Sequence, residues 1–127
     1  MRFCLSFMLI ALLLVLTVPV EAHHSASSFW HTDRTTFIEG VVKSVNIVNP
    51  HPEVIIEVTE SNGEKSDWYL SGSGNASAWI RSGWTDDTLP AGMAVKVEGN
   101  PSLRDGSKAL LVNRSGITHP DGSPISF

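Results

Sequence analysis

The sequence predicts an all-β domain with one short helix: a small five-stranded OB-like barrel in the order β-β-β-α-β-β. Three observations carry this expectation. Runs rich in Val and Ile recur along the chain, separated by turns built from Gly, Pro, Asn and Asp. Only Asn75 to Ser82 has helical spacing, and it falls between the third and fourth runs. The length left for the domain, about 105 residues after a leader is removed, suits a single core. A short helix at that point is the element order of the OB-fold. An SH3-like barrel normally lacks the helix, and a Greek-key sandwich needs more strands.

The chain opens with the pattern of an export signal over residues 1–22. Arg2 supplies the positive charge, Leu9 to Val18 the apolar centre, and Val20-Glu21-Ala22 the small-x-small cleavage site. The most continuous part of this apolar stretch is shorter than the ~20 residues of a spanning helix. No second apolar stretch follows. The expectation is therefore a periplasmic or secreted protein with no membrane span after cleavage. The single cysteine, Cys4, lies inside the signal, so the mature chain holds no thiol. That excludes disulfides, zinc-thiolate sites and thiol catalysis. Formal net charge is −4, and losing Arg2 with Glu21 leaves it unchanged. Lys and Arg are scattered singly, without the basic stripe that phosphate binding needs, so no nucleic-acid partner is expected.

Residues 23–36 read as an extended N-terminal segment with Phe29 and Trp30 embedded in polar sequence. Trp30 is the candidate exposed aromatic. Residues 37–127 form the barrel domain. Phe37 to Val48 is the first strand, with Ile38 and Val42 on one phase and Val45 and Ile47 on the other. Gly40 is the expected bulge that switches them. Asn49-Pro50-His51-Pro52 breaks the ladder, because proline has no N–H to donate.

Val54 to Glu60 resumes as a strand with Val54, Ile56 and Val58 inward. Asn62-Gly63 is read as a tight hairpin with both residues at positive φ. Asp67 to Leu70 returns. The helix takes Ser73 or Asn75 as N-cap and Gly83 as C-cap, with Ala76, Trp79 and Ile80 as one apolar stripe. Met93 to Glu98 and Ala109 to Arg114 are the last two strands, and Asp121-Gly122 turns a short final hairpin.

Histidine is the residue type with the clearest chemical potential. Cleavage after Ala22 leaves His23-His24-Ser25 at the new terminus. The α-amine and the ring of His23 could chelate one metal, and His24 offers a rival arrangement through amine, amide and imidazole. Such nitrogen donors suit Cu(II), with Ni(II) or Zn(II) behind it. His51 could complete the site, with His31, Asp33 and His119 as weaker candidates. The plainer reading of His51 is a ring that caps a carbonyl in a rigid connection, and both stay open.

Trp68, Trp79 and Trp84 either form a stacking platform for a sugar or peptide or plug the barrel beneath the helix. Asp86-Asp87 are adjacent and diverge, and Glu57 and Glu60 fall on opposite strand phases, so no acid–base pair is set up. No serine occupies a nucleophile-elbow pattern. No enzyme activity is expected.

The start Ala22-His23-His24-Ser25, Glu39-Gly40-Val41-Val42 and Asn49-Pro50-His51 together resemble a family of small exported bacterial proteins. So do Gly83-Trp84-Thr85, Leu89-Pro90-Ala91-Gly92 and Arg104-Asp105-Gly106-Ser107. That family is a domain of unknown function. The resemblance implies a secreted or periplasmic bacterial protein and adds no activity. Two functions remain beside a structural role in envelope stress with no small ligand. One is a non-enzymatic envelope module that binds an unknown small ligand or envelope protein, through the outer face of the first strands and the Asn49 to Pro52 connection. The other is periplasmic copper binding by the mature amino terminus.

Overall fold

The computed structural model describes residues 25–126, which form a closed five-stranded barrel. The strands are β1 (Thr36–Asn46), β2 (Glu53–Thr59), β3 (Lys65–Gly72), β4 (Ala94–Pro101) and β5 (Ala109–Thr118). One helix, α1 (Ala76–Arg81), joins β3 to β4. The strands close in the order β1-β2-β3-β5-β4, with every contact antiparallel except β3 against β5. The element order and the barrel are as the sequence predicts. Among the described residues no helix is long and apolar enough to cross a membrane.

β1 is long because it serves two partners. Thr36 to Val41 pair with β4, and Val41 to Asn46 pair with β2. A change of phase is therefore needed, and it comes later than expected. The register with β2 shifts between Val42 and Ser44, so the bulge lies at Lys43 and not at Gly40. Gly40 answers a different constraint: a Cβ there would lie 2.5 Å from the Glu57 carbonyl oxygen. The β1 backbone passes its neighbour too closely for any side chain.

β2 alternates cleanly, with Val54, Ile56 and Val58 buried. Its hairpin to β3 is not the two-residue turn expected. Only Gly63 has positive φ (84°), and the Glu60 amide bonds the Glu64 carbonyl across a longer loop. That is a type I turn closed by a glycine in the left-handed region.

The core joins these residues to Leu70, Val95, Val97, Leu110, Val112 and Ile117. α1 closes one end of the cylinder. Asn75 is the N-cap, its side-chain oxygen accepting from the Ala78 amide at 2.9 Å, and Gly83 follows the last turn with φ 92°. Trp79 is wholly buried and meets Trp84 edge-to-face, with ring centroids 4.9 Å apart. Both plug the barrel. Trp68 is only partly buried. Ile80 departs from the expected stripe and is 56% exposed. Successive helical residues sit about 100° apart, so a six-residue helix aimed through Trp79 turns Ile80 outward.

β4 runs three residues past its predicted end, and β5 reaches Thr118. Their pairing is interrupted: Val97 faces Ile117, but Gly99 already faces Val112. Asn113 to Gly116 are the surplus that leaves the ladder. The chain ends with the turn expected at Asp121-Gly122, where Thr118 pairs with Pro124.

Candidate functional site

The Asn49-Pro50-His51-Pro52 connection is fastened to the approach to α1 rather than standing free. The Asn49 side-chain oxygen accepts from the Ala76 amide at 3.3 Å. That amide lies at the start of α1, where helical N–H groups lack internal partners. The Pro52 carbonyl accepts from the Gly72 amide at 2.7 Å. His51 Nδ1 donates to the Gly74 carbonyl at 3.0 Å. A carbonyl only accepts, so this bond puts the proton on Nδ1 and leaves Nε2 as the second nitrogen of an exposed ring. His51 therefore caps a carbonyl. Beneath this clasp the Trp79 Nε1 donates to the Ser73 carbonyl at 2.8 Å, tying loop and core together.

The amino-terminal segment builds a second wall. Ala26–Ser28 form a short 3-10 turn within the stretch read as extended. Beyond it the His31 amide donates to the Pro101 carbonyl at 2.8 Å, and the Leu103 amide donates to the Phe29 carbonyl at 2.9 Å. Trp30 pairs with Ser102. The segment is thus strapped along the β4–β5 connection. Phe29, not Trp30, is the more exposed aromatic, at 55%.

Between the two walls lies a cleft of about 790 Å³. Phe29 and Trp30 stand on one side, Pro50 and His51 on the other, with Ser71, Ser73 and Leu111 between and Leu103, Arg104 and Ser107 from the β4–β5 connection. In OB-folds the β1–β2 and β4–β5 connections border the ligand surface. The cleft takes in the connection singled out from the sequence but not the outer face of β1.

Leu103 and Leu111 had no distinguishing motif, and Arg104 stood only in the Arg104-Asp105-Gly106-Ser107 stretch of the family resemblance. Leu103 gave one usable signal, a large apolar residue inside a polar loop, and it is 43% exposed. A second cleft of about 600 Å³ lies alongside, reached across Ser73 and Gly74, which line both. It is bordered by Ser82 and Trp84, by the displaced residues Asn113, Arg114 and Ser115, and by Ile125.

The remaining sequence candidates stand apart. His31 Nε2 accepts from Arg34 Nη2 at 2.8 Å, and its Nδ1 lies 3.7 Å from Asp33. His119 belongs to the carboxyl-terminal turn, its amide bonded to the Ser123 carbonyl. Among the described residues no three His, Cys, Asp or Glu side chains gather closely enough to hold a metal ion. His23 and His24 lie outside the described residues. Asp86 accepts from the Ile47 amide at 2.7 Å, a structural tie at the exit of β1.

Glu57 pairs with Lys65, while Glu60 takes Ser66, Trp68 and Lys108 on one oxygen. Those bonds, led by Ser66, hold the Glu60 carboxyl down to about 2. Burial, with a bond to Glu53, pushes the Tyr69 hydroxyl up to about 12. Both groups brace β2 against β3.

Fold and site together define a closed OB-like barrel with clefts at the β1–β2 and β4–β5 connections. The chain belongs to a family of unknown function (DUF6152), whose model matches residues 11–112. That stretch spans both connections and α1. No curated protein and no solved structure matches the chain.

Proposed function

We propose that this protein is an exported, non-enzymatic binding module of the bacterial cell envelope, and that its ligand occupies the cleft between His51 and Trp30. One observation carries the reading. The cleft is of ligand-binding size, within the range of about 300–1,000 Å³, and combines aromatic faces with hydroxyl groups at the OB-fold's ligand-bordering connections. Aromatic rings supply stacking area, and Ser71, Ser73 and Ser107 supply directional hydrogen bonding.

The test is the melting temperature of the mature protein, residues 23–127, with and without soluble peptidoglycan fragments. Stabilisation by ligand follows mass action, about 2.7 kcal/mol at a hundredfold excess over Kd. The expected result is a rise in Tm that Trp30→Ala abolishes while its circular dichroism stays native. A folded Trp30→Ala protein that keeps the full rise would reject the cleft.

A second reading, periplasmic copper binding through His23 and His24, is favoured by one placement. Ala26 lines the same cleft as His51, so the chain enters that wall two residues after His24. Titration with Cu(II) of the mature protein and of a form carrying one additional amino-terminal Ala separates the cases. An amine-based site loses most of its affinity in the extended form. Equal, weak binding in both eliminates it.

A further inference from the structure

We infer that the two clefts form one continuous track for an oligosaccharide bearing carboxylate groups at intervals, a ligand class that rests on the proposed binding function. Continuity is the first observation. Ser73 and Gly74 line both clefts, so a chain-like ligand can pass from one to the other over the connection between β3 and α1. A single sugar ring needs only one of them.

Charge is the second observation. The sequence carries 13 Asp and Glu against 9 Lys and Arg, yet among the described residues no carboxylate side chain lines either cleft. Each instead carries an arginine, Arg104 in the first and Arg114 in the second. Neither guanidinium has an ion-pair or hydrogen-bond partner among the described residues. Lys43, Lys65 and Lys108, by contrast, are matched to carboxylates on the barrel wall. An acidic protein has thus kept negative charge out of one concave surface and left two forked donors there. Guanidinium groups recognise carboxylates in a planar, bidentate way.

Spacing and composition narrow the class. Two isolated cations do not neutralise the continuous charge of a nucleic acid, and the net charge of −4 opposes such a polymer. A glycan with a carboxylate on some of its rings needs only separate charge contacts. It also uses the remaining lining, Phe29 and Trp30 for ring faces and, for hydroxyls, the Asn113 amide N–H and the Ser73 oxygen left over from the bond in which Ser73 Oγ donates to Asn113 Oδ1.

Arg114 enters the track because of the interrupted pairing of β5. Asn113 to Gly116 leave the ladder where Val97 and Gly99 skip them. Bulges of this kind re-aim side chains beside binding sites.

Isothermal titration of the mature protein with hexagalacturonate, its fully methyl-esterified counterpart and a tetrasaccharide containing muramic acid tests the inference. Either acidic probe binding more tightly than the ester, with affinity that falls as salt rises, supports it, and the tighter of the two names the source. Arg104→Gln and Arg114→Gln are each expected to weaken acidic binding by about 5- to 10-fold, the loss of one exposed charge-assisted hydrogen bond. Neither should alter Tm without ligand. Equal affinity for acid and ester overturns this inference and leaves the binding-module reading intact. Loss of affinity in Arg104→Gln alone, with a disaccharide binding as well as the hexamer, overturns the joined track.

Discussion

β2 and β5 are both interior-facing strands of one barrel, and they are built to opposite rules. β2 keeps one register against β3, pairing residue for residue from Glu53 to Thr59, and alternates buried with half-buried side chains up to the exposed Thr59. β5 holds β3 and β4 through Ala109 to Val112, drops out of the ladder, and resumes at Ile117. The regular strand supplies core. The irregular one supplies core at both ends and a cleft wall in the middle. In this barrel the regular strand is given over to the core, and the bulged stretch of β5 lines a cleft.

That division is best tested by substitutions whose costs differ in kind. The largest expected effect is at Trp79, which is fully buried, edge-to-face with Trp84 and bonded to the Ser73 carbonyl. Trp79→Ala should cost about 3–5 kcal/mol, read by urea unfolding, and a loss below 1 kcal/mol would mean that α1 does not plug the barrel. On β2, Ile56→Ala should cost about 2–5 kcal/mol by the same measurement.

Asn75→Ala removes the helix cap and is expected to cost about 1 kcal/mol. At the other extreme, Ser115→Ala in the displaced segment of β5 should stay within about 0.5 kcal/mol of the parent. A large loss there would place the segment in the core's cooperative unit after all.

The pH dependence offers a gentler probe of the β2–β3 brace. The Glu60 carboxyl is depressed in the folded protein to about 2 from an ordinary 4.5, so the folded state holds fewer protons than the unfolded chain between those values. Its contribution is complete above pH 4.5 and is lost as pH falls from there through about 2. Comparing Glu60→Gln with the parent over pH 2–6 should give curves separated by a constant gap above pH 4.5 that closes as pH falls toward 2. Parallel curves would remove Glu60 from the brace.

Much of the barrel was legible because its causes are local. Alternation identified β2, Gly and Asn placed the cap and stop of α1, and Asp121-Gly122 announced the last turn. What escaped depends on distant partners. The phase change in β1 is set by where β4 hands over to β2, a fact no window around Gly40 contains. Ile80 matched a stripe, but only the position of the barrel mouth decides which residue of a short helix faces inward.

The cleft was half legible. His51 stood out as a histidine between prolines, whereas Leu111 had no signal, and Ser73 and Arg104, noted only as a cap candidate and in a family motif, meet the cleft only when loops far apart in sequence are brought together. The strap from Phe29 to His31 depends on Pro101 and Leu103, partners far along the chain that no window around it contains.

The placement of Ala26 and Ile125 has a practical consequence. One lines the first cleft and the other the second, so each end of the described chain opens onto a surface proposed for recognition. A purification handle or fluorescent reporter fused at either extremity would crowd the very groove under assay. An affinity measured on such a fusion would understate the untagged protein's, and scarless material is the form on which occupancy should be determined.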